Sequence, residues 1–445
     1  MDDTIQRLRA RLAQDSPLFS APAMTGQALL AHAAGLATRL NSGDRWVLFD
    51  ADPAAFLAGL LACWQAGAVP VLPANGQSET LKAIDAKGLI SRSLAGFEGP
   101  VLDPLGFKGE PQSVSVGDLV LFTSGSTGQP KQVAKTAAQL LTELKVLEQS
   151  FGPLEGEQLS TVSHQHIYGL LFRLLWPVMS GAIVNRTFFA YPEQLAGAAE
   201  TLDGPLHLVS SPAQLERLPK GLLGCLAGKL GQVFSSGGLL SRAGAALVQA
   251  ELGQLPIEVL GSTETGGVAW RRQEGQGAWT PFAGVHCRLD EEGGLWVDSK
   301  VAGGPQAMGD RAELLADGRL QLLGRRDRIV KLEQKRLSLD AMEAALCRHP
   351  WVDKARCLLL PGRRQQLGAV LVLTEAGEAQ LAAQGRRALG LGLRQALLAH
   401  FEPVVLPRRW RTLAAFPVSS QGKIEHGALL ALFEEQRDVI ATQDP

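Results

Sequence analysis

The sequence predicts an α/β fold: a large N-terminal α/β domain with a β-rich subdomain, then a small α+β C-terminal domain. Three observations carry that expectation. Through the first two thirds, β-leaning runs alternate with Ala/Leu-rich or amphipathic stretches, the pattern of largely parallel strands joined by helices. Around Trp270 the character changes to short strands separated by Gly-rich turns. From about Arg328 a second mixed unit begins, of roughly a hundred residues, a normal size for a small domain.

In chain order, WVLFD (Trp46 to Asp50) reads as a strand, followed by a helix ending near Gly67 and a second strand, AVPVL. LVLFT, from Leu119, repeats the unit with a helix from Thr136 to Gln149. The longest apolar run, Tyr168 to Val184, carries Arg173 and Pro177 and fits a buried helix plus a strand better than a membrane span. HLVS (His207 to Ser210), VFSSG (Val233 to Gly237) and IEVLG (Ile257 to Gly261) are further strands. VHCRLD, GLWVDS, AELLA and RLQLLG form the β-rich part, with Asp317-Gly318 as a hairpin signal. The last unit starts with one strand-like run, IVKLEQKRLS, and a helix from Leu339 to Arg348. Strands at Ala355 to Leu360 and Ala369 to Leu373, a helical region from Glu378 to His400 and a strand near Trp410 complete it.

The chain has 445 residues, 46% of them hydrophobic and 20% charged, so a sizeable core is expected. Lys+Arg at 43 against Asp+Glu at 44 leaves no basic excess, which speaks against a nucleic-acid partner or an anionic membrane surface. Five scattered cysteines (Cys63, Cys225, Cys287, Cys347, Cys357) form no CxxC pair, so neither a disulfide framework nor a zinc site is expected. The opening MDDTIQRLRARLAQDS is charged and amphipathic, unlike a signal peptide, and the expected location is cytoplasmic.

The segment richest in chemistry is LFTSGSTGQPK, Leu121 to Lys131. Small and hydroxylated residues after a strand let backbone N–H groups approach an anion, and a lysine closes the loop. The spacing is not that of a Walker P-loop, which disfavours a P-loop kinase. Four later segments complete the set. GSTETGG (Gly261 to Gly267) ends a strand with the hydroxyl of Thr263 and the carboxylate of Glu264. GDRAELLADGRL offers Asp310, read by itself as a turn acid before a hairpin. GRRDRIVK supplies Arg325 and Asp327, and PVSSQGKIE places Lys423 after a glycine in a loop.

In this order the segments resemble the adenylate-forming (AMP-binding) superfamily: acyl-CoA synthetases, acyl carrier protein ligases, peptide-synthetase adenylation domains and luciferases. The resemblance covers nearly the whole chain and includes NSGDRWVLFDADPAAFLAGLLACWQAGAVPVLP. It implies an ATP-dependent acid–thiol ligase that adenylates an aryl or fatty carboxylate, then passes the acyl group to coenzyme A or the phosphopantetheine arm of an acyl carrier protein. Thr123, Ser124, Gly125, Ser126, Thr127 and Gly128 would wrap the β- and γ-phosphates, with Lys131 adding charge. Thr263 would touch the α-phosphate, and Glu264 would help hold Mg²⁺. Asp310 would bind the ribose hydroxyls with help from Arg325. Ser236, Gly237, Gly238 and Gly261 would line the nucleotide and acyl pocket. Lys423 would bridge the reacting carboxylate and the α-phosphate. The resemblance also implies an ATP- and acid-binding domain over 1–326 and a mobile C-terminal domain over 327–445, hinged at Asp327.

Against the family pattern, Leu260 replaces the usual aromatic residue before Gly261, and Gln334 replaces the glycine three positions after Lys331. The second departure leans the acceptor toward a carrier protein. His166, in HQHIYGL, matches the position of a histidine beside the carboxylate pocket, while a satisfied core histidine fits it equally. Gly266 and Gly267 would leave room for a ring or a chain. No aspartate is present to pair an α-ammonium, which disfavours amino-acid activation. A nucleotide-binding scaffold or regulator without catalysis is the alternative of another class.

Overall fold

The computed structural model describes residues 3–94, 97–124, 130–275, 277–332, 335–360, 366–398, 400–418 and 424–434. Two large sheets dominate. In the first, nine strands lie in the order Thr280–Pro281, Gly266–Arg271, Ile257–Ser262, Leu230–Ser235, Leu206–Ser210, Glu157–Ser160, Ile183–Asn185, Pro17–Ser20 and Met24–Thr25. From Ile257–Ser262 through Pro17–Ser20 every pairing is parallel, and both edges are antiparallel. In the second, six strands run Val101–Leu102, Gly88–Ile90, Arg45–Leu48, Val69–Leu72, Leu119–Ser124 and Pro130–Lys135, parallel except for the last pair. The mixed α/β class expected from the sequence is therefore present.

The helix Pro53–Ala66 shows why this arrangement forms. Asp52 caps its N-terminus by accepting from the Ala54 N–H at 3.0 Å, Pro53 occupies the first turn, and Gly67 ends it at φ +69°. Every residue from Pro53 to Trp64 is buried, so the helix is a core rod rather than a surface helix. The helix Ala137–Phe151 starts with a reciprocal capping box. Thr136 Oγ1 accepts from the Gln139 N–H (3.2 Å), and Gln139 Oε1 accepts from the Thr136 N–H (2.8 Å). The run Tyr168 to Val184 is a buried helical stretch with a π-helical middle, followed by the strand Ile183–Asn185, as expected.

The β-rich part is a four-stranded antiparallel sheet, His286–Leu289, Gly294–Asp298, Gln306–Leu314 and Leu320–Arg325. Gly318, at φ +81°, sits in the turn signalled by Asp317-Gly318. It has its own small core around Trp279, Leu295, Val297 and Leu320.

Residues from Leu332 onward pack a separate core of Met342, Leu346, Cys357, Leu371 and Leu393. Two sequence expectations are corrected here. IVKLEQKRLS is a hairpin of Ile329–Leu332 and Lys335–Ser338 rather than one strand. The helical region starts earlier, at Glu375, where Thr374 caps it, and Gly385 (φ +75°, ψ 172°) breaks it into two pieces. Glu343 anchors this part from inside: it pairs with Arg328, with Arg356 at 2.8 Å, and accepts the Cys357 N–H at 2.6 Å. Lys354 reaches across to Glu216 at 2.8 Å. Among the described residues no helix is long and apolar enough to cross a membrane.

Candidate active site

Two hairpins carry the site. The first joins Leu119–Ser124 to Pro130–Lys135, with Thr123 opposite Lys131 and Ser124 opposite Pro130. Gly125, Ser126, Thr127 and Gly128 lie outside the described residues, as does the Ser124 side chain, but the two ends of their loop are pinned by this pairing. Thr123 Oγ1 leans on the Lys131 carbonyl at 3.5 Å. Alternation along the second strand puts Lys131, Val133 and Lys135 on one face.

The second hairpin joins Ile257–Ser262 to Gly266–Arg271. Its strands come so close that a Cβ on Gly261 would lie 2.3 Å from the Gly266 carbonyl oxygen. Ser262 and Thr265 close the turn reciprocally: each side-chain oxygen accepts the other residue's N–H at 3.1 Å. Behind it, Arg271 forks onto buried Glu258 at 2.9 and 3.0 Å and stacks over the Trp279 ring. The tip that results presents half-buried Thr263 and Glu264.

Lys131 Nζ meets Glu264 Oε1 at 2.9 Å, so the structure brings the lysine of one hairpin to the acid of the other. Partial burial alone would push the Glu264 carboxyl up. The hydrogen bond and charge of Lys131, with the turn's own donors, outweigh that and hold it below the usual carboxylate range. Glu264 is thus ionised at neutral pH. Lys135, on the same strand face but buried, donates to the Glu264 carbonyl at 2.8 Å and to the Val301 carbonyl at 3.3 Å. Glu143, also buried, accepts the Gly267 N–H at 2.7 Å. Neither residue stood out in the sequence, although a lysine on the same strand face as buried Val133 was an available signal.

Asp310 and Arg325 face each other in register across Gln306–Leu314 and Leu320–Arg325, Oδ2 to Nη1 4.0 Å. The expectation of a turn acid is corrected: Asp310 lies inside a strand whose Met308 and Ala312 are buried in the β-rich core. Ser236 is tied to the second hairpin by its Oγ donating to the Val259 carbonyl at 2.8 Å; Gly237 follows at φ +88°, and space around Gly238 is open to the nearest atom, Pro212 Cγ, at 3.7 Å.

His166 occupies the N-cap position of the short helix Ile167–Gly169 without a side-chain capping bond and is half-buried. The core histidine is its neighbour His164, whose Nε2 meets the Asp50 carbonyl at 2.9 Å and whose ring lies 4.7 Å from Phe56. Burial and nearby Arg173 push His164 well below the ordinary histidine range, so it stays neutral. The room expected at Gly266 and Gly267 is corrected on their Cβ sides. A Cβ at Gly266 would lie 2.4 Å from Val301 and 2.9 Å from both Glu143 oxygens; one at Gly267 would lie 3.1 Å from the Phe282 ring. Below them Phe151, Phe172, Trp176, Phe234, Trp270 and Phe282 pack mostly edge to face, centroids 5.2–6.0 Å apart. Lys423 and Gln334 lie outside the described residues; Asp327 sits in the 3₁₀ turn Arg326–Arg328, its side chain outside them.

Comparison with known proteins gives this geometry its context. The chain is 29% identical to a 4-coumarate–CoA ligase of Cereibacter sphaeroides, over 68% of this chain and 69% of that protein. It is 26% identical to an anthranilate–CoA ligase of Pseudomonas aeruginosa, over 90% and 89%. An L-proline–[L-prolyl-carrier protein] ligase of Pseudomonas fluorescens matches at 28% over 39% of this chain and 34% of its own length. Among solved structures, the anthranilate CoA ligase AuaEII in complex with anthranoyl-AMP superposes with a TM-score of 0.77 at 18% identity, covering 97% of each chain. A benzoate CoA ligase from Burkholderia xenovorans does so with 0.76 at 19%, covering 96% and 100%. At these identities the structural likeness is one of fold. The family model described as AMP-binding enzyme matches residues 78–304, half of the chain, and the chain belongs to that family.

Proposed function

We propose that the protein is an ATP-dependent acid–thiol ligase that adenylates an aryl or fatty carboxylate and transfers the acyl group to coenzyme A or a carrier protein. The observation that carries this reading is the Lys131–Glu264 contact, which brings the lysine that closes the phosphate-type segment to the acidic turn. The coumarate and anthranilate ligases among the relatives support an aryl acid. Coenzyme A ligases match more of the chain than the carrier-protein ligase does, while Gln334 leans the other way.

In the first step a carboxylate oxygen attacks the α-phosphorus of ATP and the bond to pyrophosphate breaks. In the second a thiol sulfur attacks the acyl carbon and AMP leaves. Main-chain and hydroxyl donors of Thr123 to Gly128 hold the leaving pyrophosphate, Thr263 orients the α-phosphate, and Asp310 with Arg325 holds the ribose. Lys423 neutralises charge that grows between the carboxylate and the α-phosphate. Glu264 fits a Mg²⁺ site, being an ionised hard oxygen donor of which Lys131 occupies Oε1 only. No cluster of three metal-ligating side chains occurs among the described residues, so phosphate and water oxygens would complete the shell. When bound there, Mg²⁺ supplies charge neutralisation on the phosphates. The division at 326/327, with a hinge at Asp327, is part of the same proposal; the separate core beyond Leu332 supports it.

The test is pyrophosphate release with ATP across a panel of aryl and fatty acids, followed by mass spectrometry of thioesters on coenzyme A and on a holo carrier protein. ATP binding without acid-dependent turnover would instead support the silent scaffold. Lys423→Ala is expected to lower adenylation by about 10²–10³ while sparing thiolysis of preformed adenylate. Equal loss of both half-reactions contradicts the role given to Lys423.

A further inference from the structure

We infer that Lys135 and Glu143 are positioning residues for adenylation: they hold the Thr263–Glu264 turn by its main chain and so aim the Glu264 carboxylate. The inference rests on the role proposed for Glu264.

Lys135 is 1% exposed and Glu143 4%, far below what either residue type usually shows. Each engages the turn through a backbone atom. Lys135 Nζ takes the Glu264 carbonyl, and Glu143 Oε1 takes the Gly267 N–H three residues later. The same ammonium also takes the Val301 carbonyl, to which Gln139 Nε2 donates at 3.0 Å. Gln139 and Glu143 are four apart and share one helix face, so a single helix and a single strand end grip both flanks of the turn. Gly266 lets the carboxylate in, since any side chain there would meet it.

Burial lowers the Lys135 ammonium from its usual range, opposed by the charges of Glu143 and Glu264. It raises the Glu143 carboxyl, opposed by the Gly267 N–H and Lys135. Two buried ionisable side chains are seldom the most stable filling for a core, and apolar residues of similar volume often do as well or better. What apolar residues cannot do is fix a carbonyl and an N–H at set positions. Two lysines on one strand face therefore act on one residue: Lys131 on its carboxylate, Lys135 on its carbonyl.

The experiment is a double-mutant cycle read by acid-dependent pyrophosphate release, in single turnover where rates are low. Lys135→Met should lower kcat about tenfold or more, with the KM for ATP changed less than about threefold. In a Glu264→Gln background the same substitution should change kcat less than about twofold, because no carboxylate remains to aim. Glu143→Leu should reproduce the loss, and Glu143→Gln, which keeps an oxygen for the Gly267 N–H, should restore most of it. If Lys135→Met does not melt cooperatively, Lys135→Met/Glu143→Leu, which removes both ionisable groups, is taken through the same cycle. An unchanged kcat, or equal loss in both backgrounds, overturns the inference. A wild-type enzyme without turnover on any acid overturns the proposed function instead, so the two failures are distinct.

Discussion

The Glu264 turn and the Asp310 strand each present a carboxylate beside a cation, and they are built in opposite ways. Glu264 meets Lys131 at 2.9 Å on a turn closed by Ser262 and Thr265 and gripped from behind by buried Lys135 and Glu143. Asp310 meets Arg325 at only 4.0 Å, and that arginine is half exposed at the end of its strand, one residue before the 3₁₀ turn Arg326–Arg328. The difference separates a closely braced part of the site from one with a longer contact. At the turn proposed to face the reacting phosphate, the carboxylate sits on a scaffold braced on several sides. Beside the proposed hinge, the pair is longer, a half-exposed arginine set against a largely buried aspartate.

The largest expected effect that would sharpen this contrast is Glu264→Gln. Adenylation should fall on the order of 10²-fold, the scale for losing one preorganised charge at a transition state. Thermal stability should change little, since a half-exposed pair contributes about 0–1 kcal/mol. Because the folded Glu264 carboxyl is held down, the Lys131 pair is fully present above the ordinary glutamate value and is lost only as pH falls through the lower folded value. ATP affinity followed by calorimetry from neutral pH into the acid range should therefore show no loss from this group until below the usual glutamate pKa.

A smaller effect is expected at the other carboxylate. Asp310→Asn should weaken ATP binding by about 1.5–3 kcal/mol, the scale of a hydrogen bond to a charged group, with kcat little changed. Arg325→Ala should cost less, about 0–1 kcal/mol, as its contact is long and the arginine half exposed. If Arg325→Ala proves as damaging as Glu264→Gln, the distinction between the two carboxylate sites breaks down.

Much of this was legible in the sequence, for identifiable reasons. Trp46 to Asp50, Leu119 to Thr123 and Ile257 to Gly261 are short β-leaning runs bounded by turn residues, and they are strands or strand ends. Asp317-Gly318 named its own hairpin. The order of the Gly/Ser/Thr loop, Glu264, Asp310 and Arg325 pointed to a family that the comparisons support. What failed was local punctuation. IVKLEQKRLS contains no Gly or Pro where it turns, so its hairpin left no mark. Gly385 interrupts a helix that its neighbours otherwise favour. Asp310 looked like a turn because the β-rich core that makes it a strand is assembled from distant segments. Lys135 and Glu143 were missed because their partners are backbone atoms, which a side-chain pattern does not reveal.

The aromatic cluster under Gly266 and Gly267 has a practical consequence. Trp270 belongs to the same strand as those glycines, lies 5.6 Å from Phe151, and joins Trp176 through that ring. Indole emission responds to small changes in the field and packing around it, so Trp270, on the strand that leaves the Thr263–Glu264 turn, is an optical reporter beside the candidate site. Acid binding and adenylate formation can thus be timed in unlabelled protein by stopped-flow fluorescence, before any thiol acceptor has been identified.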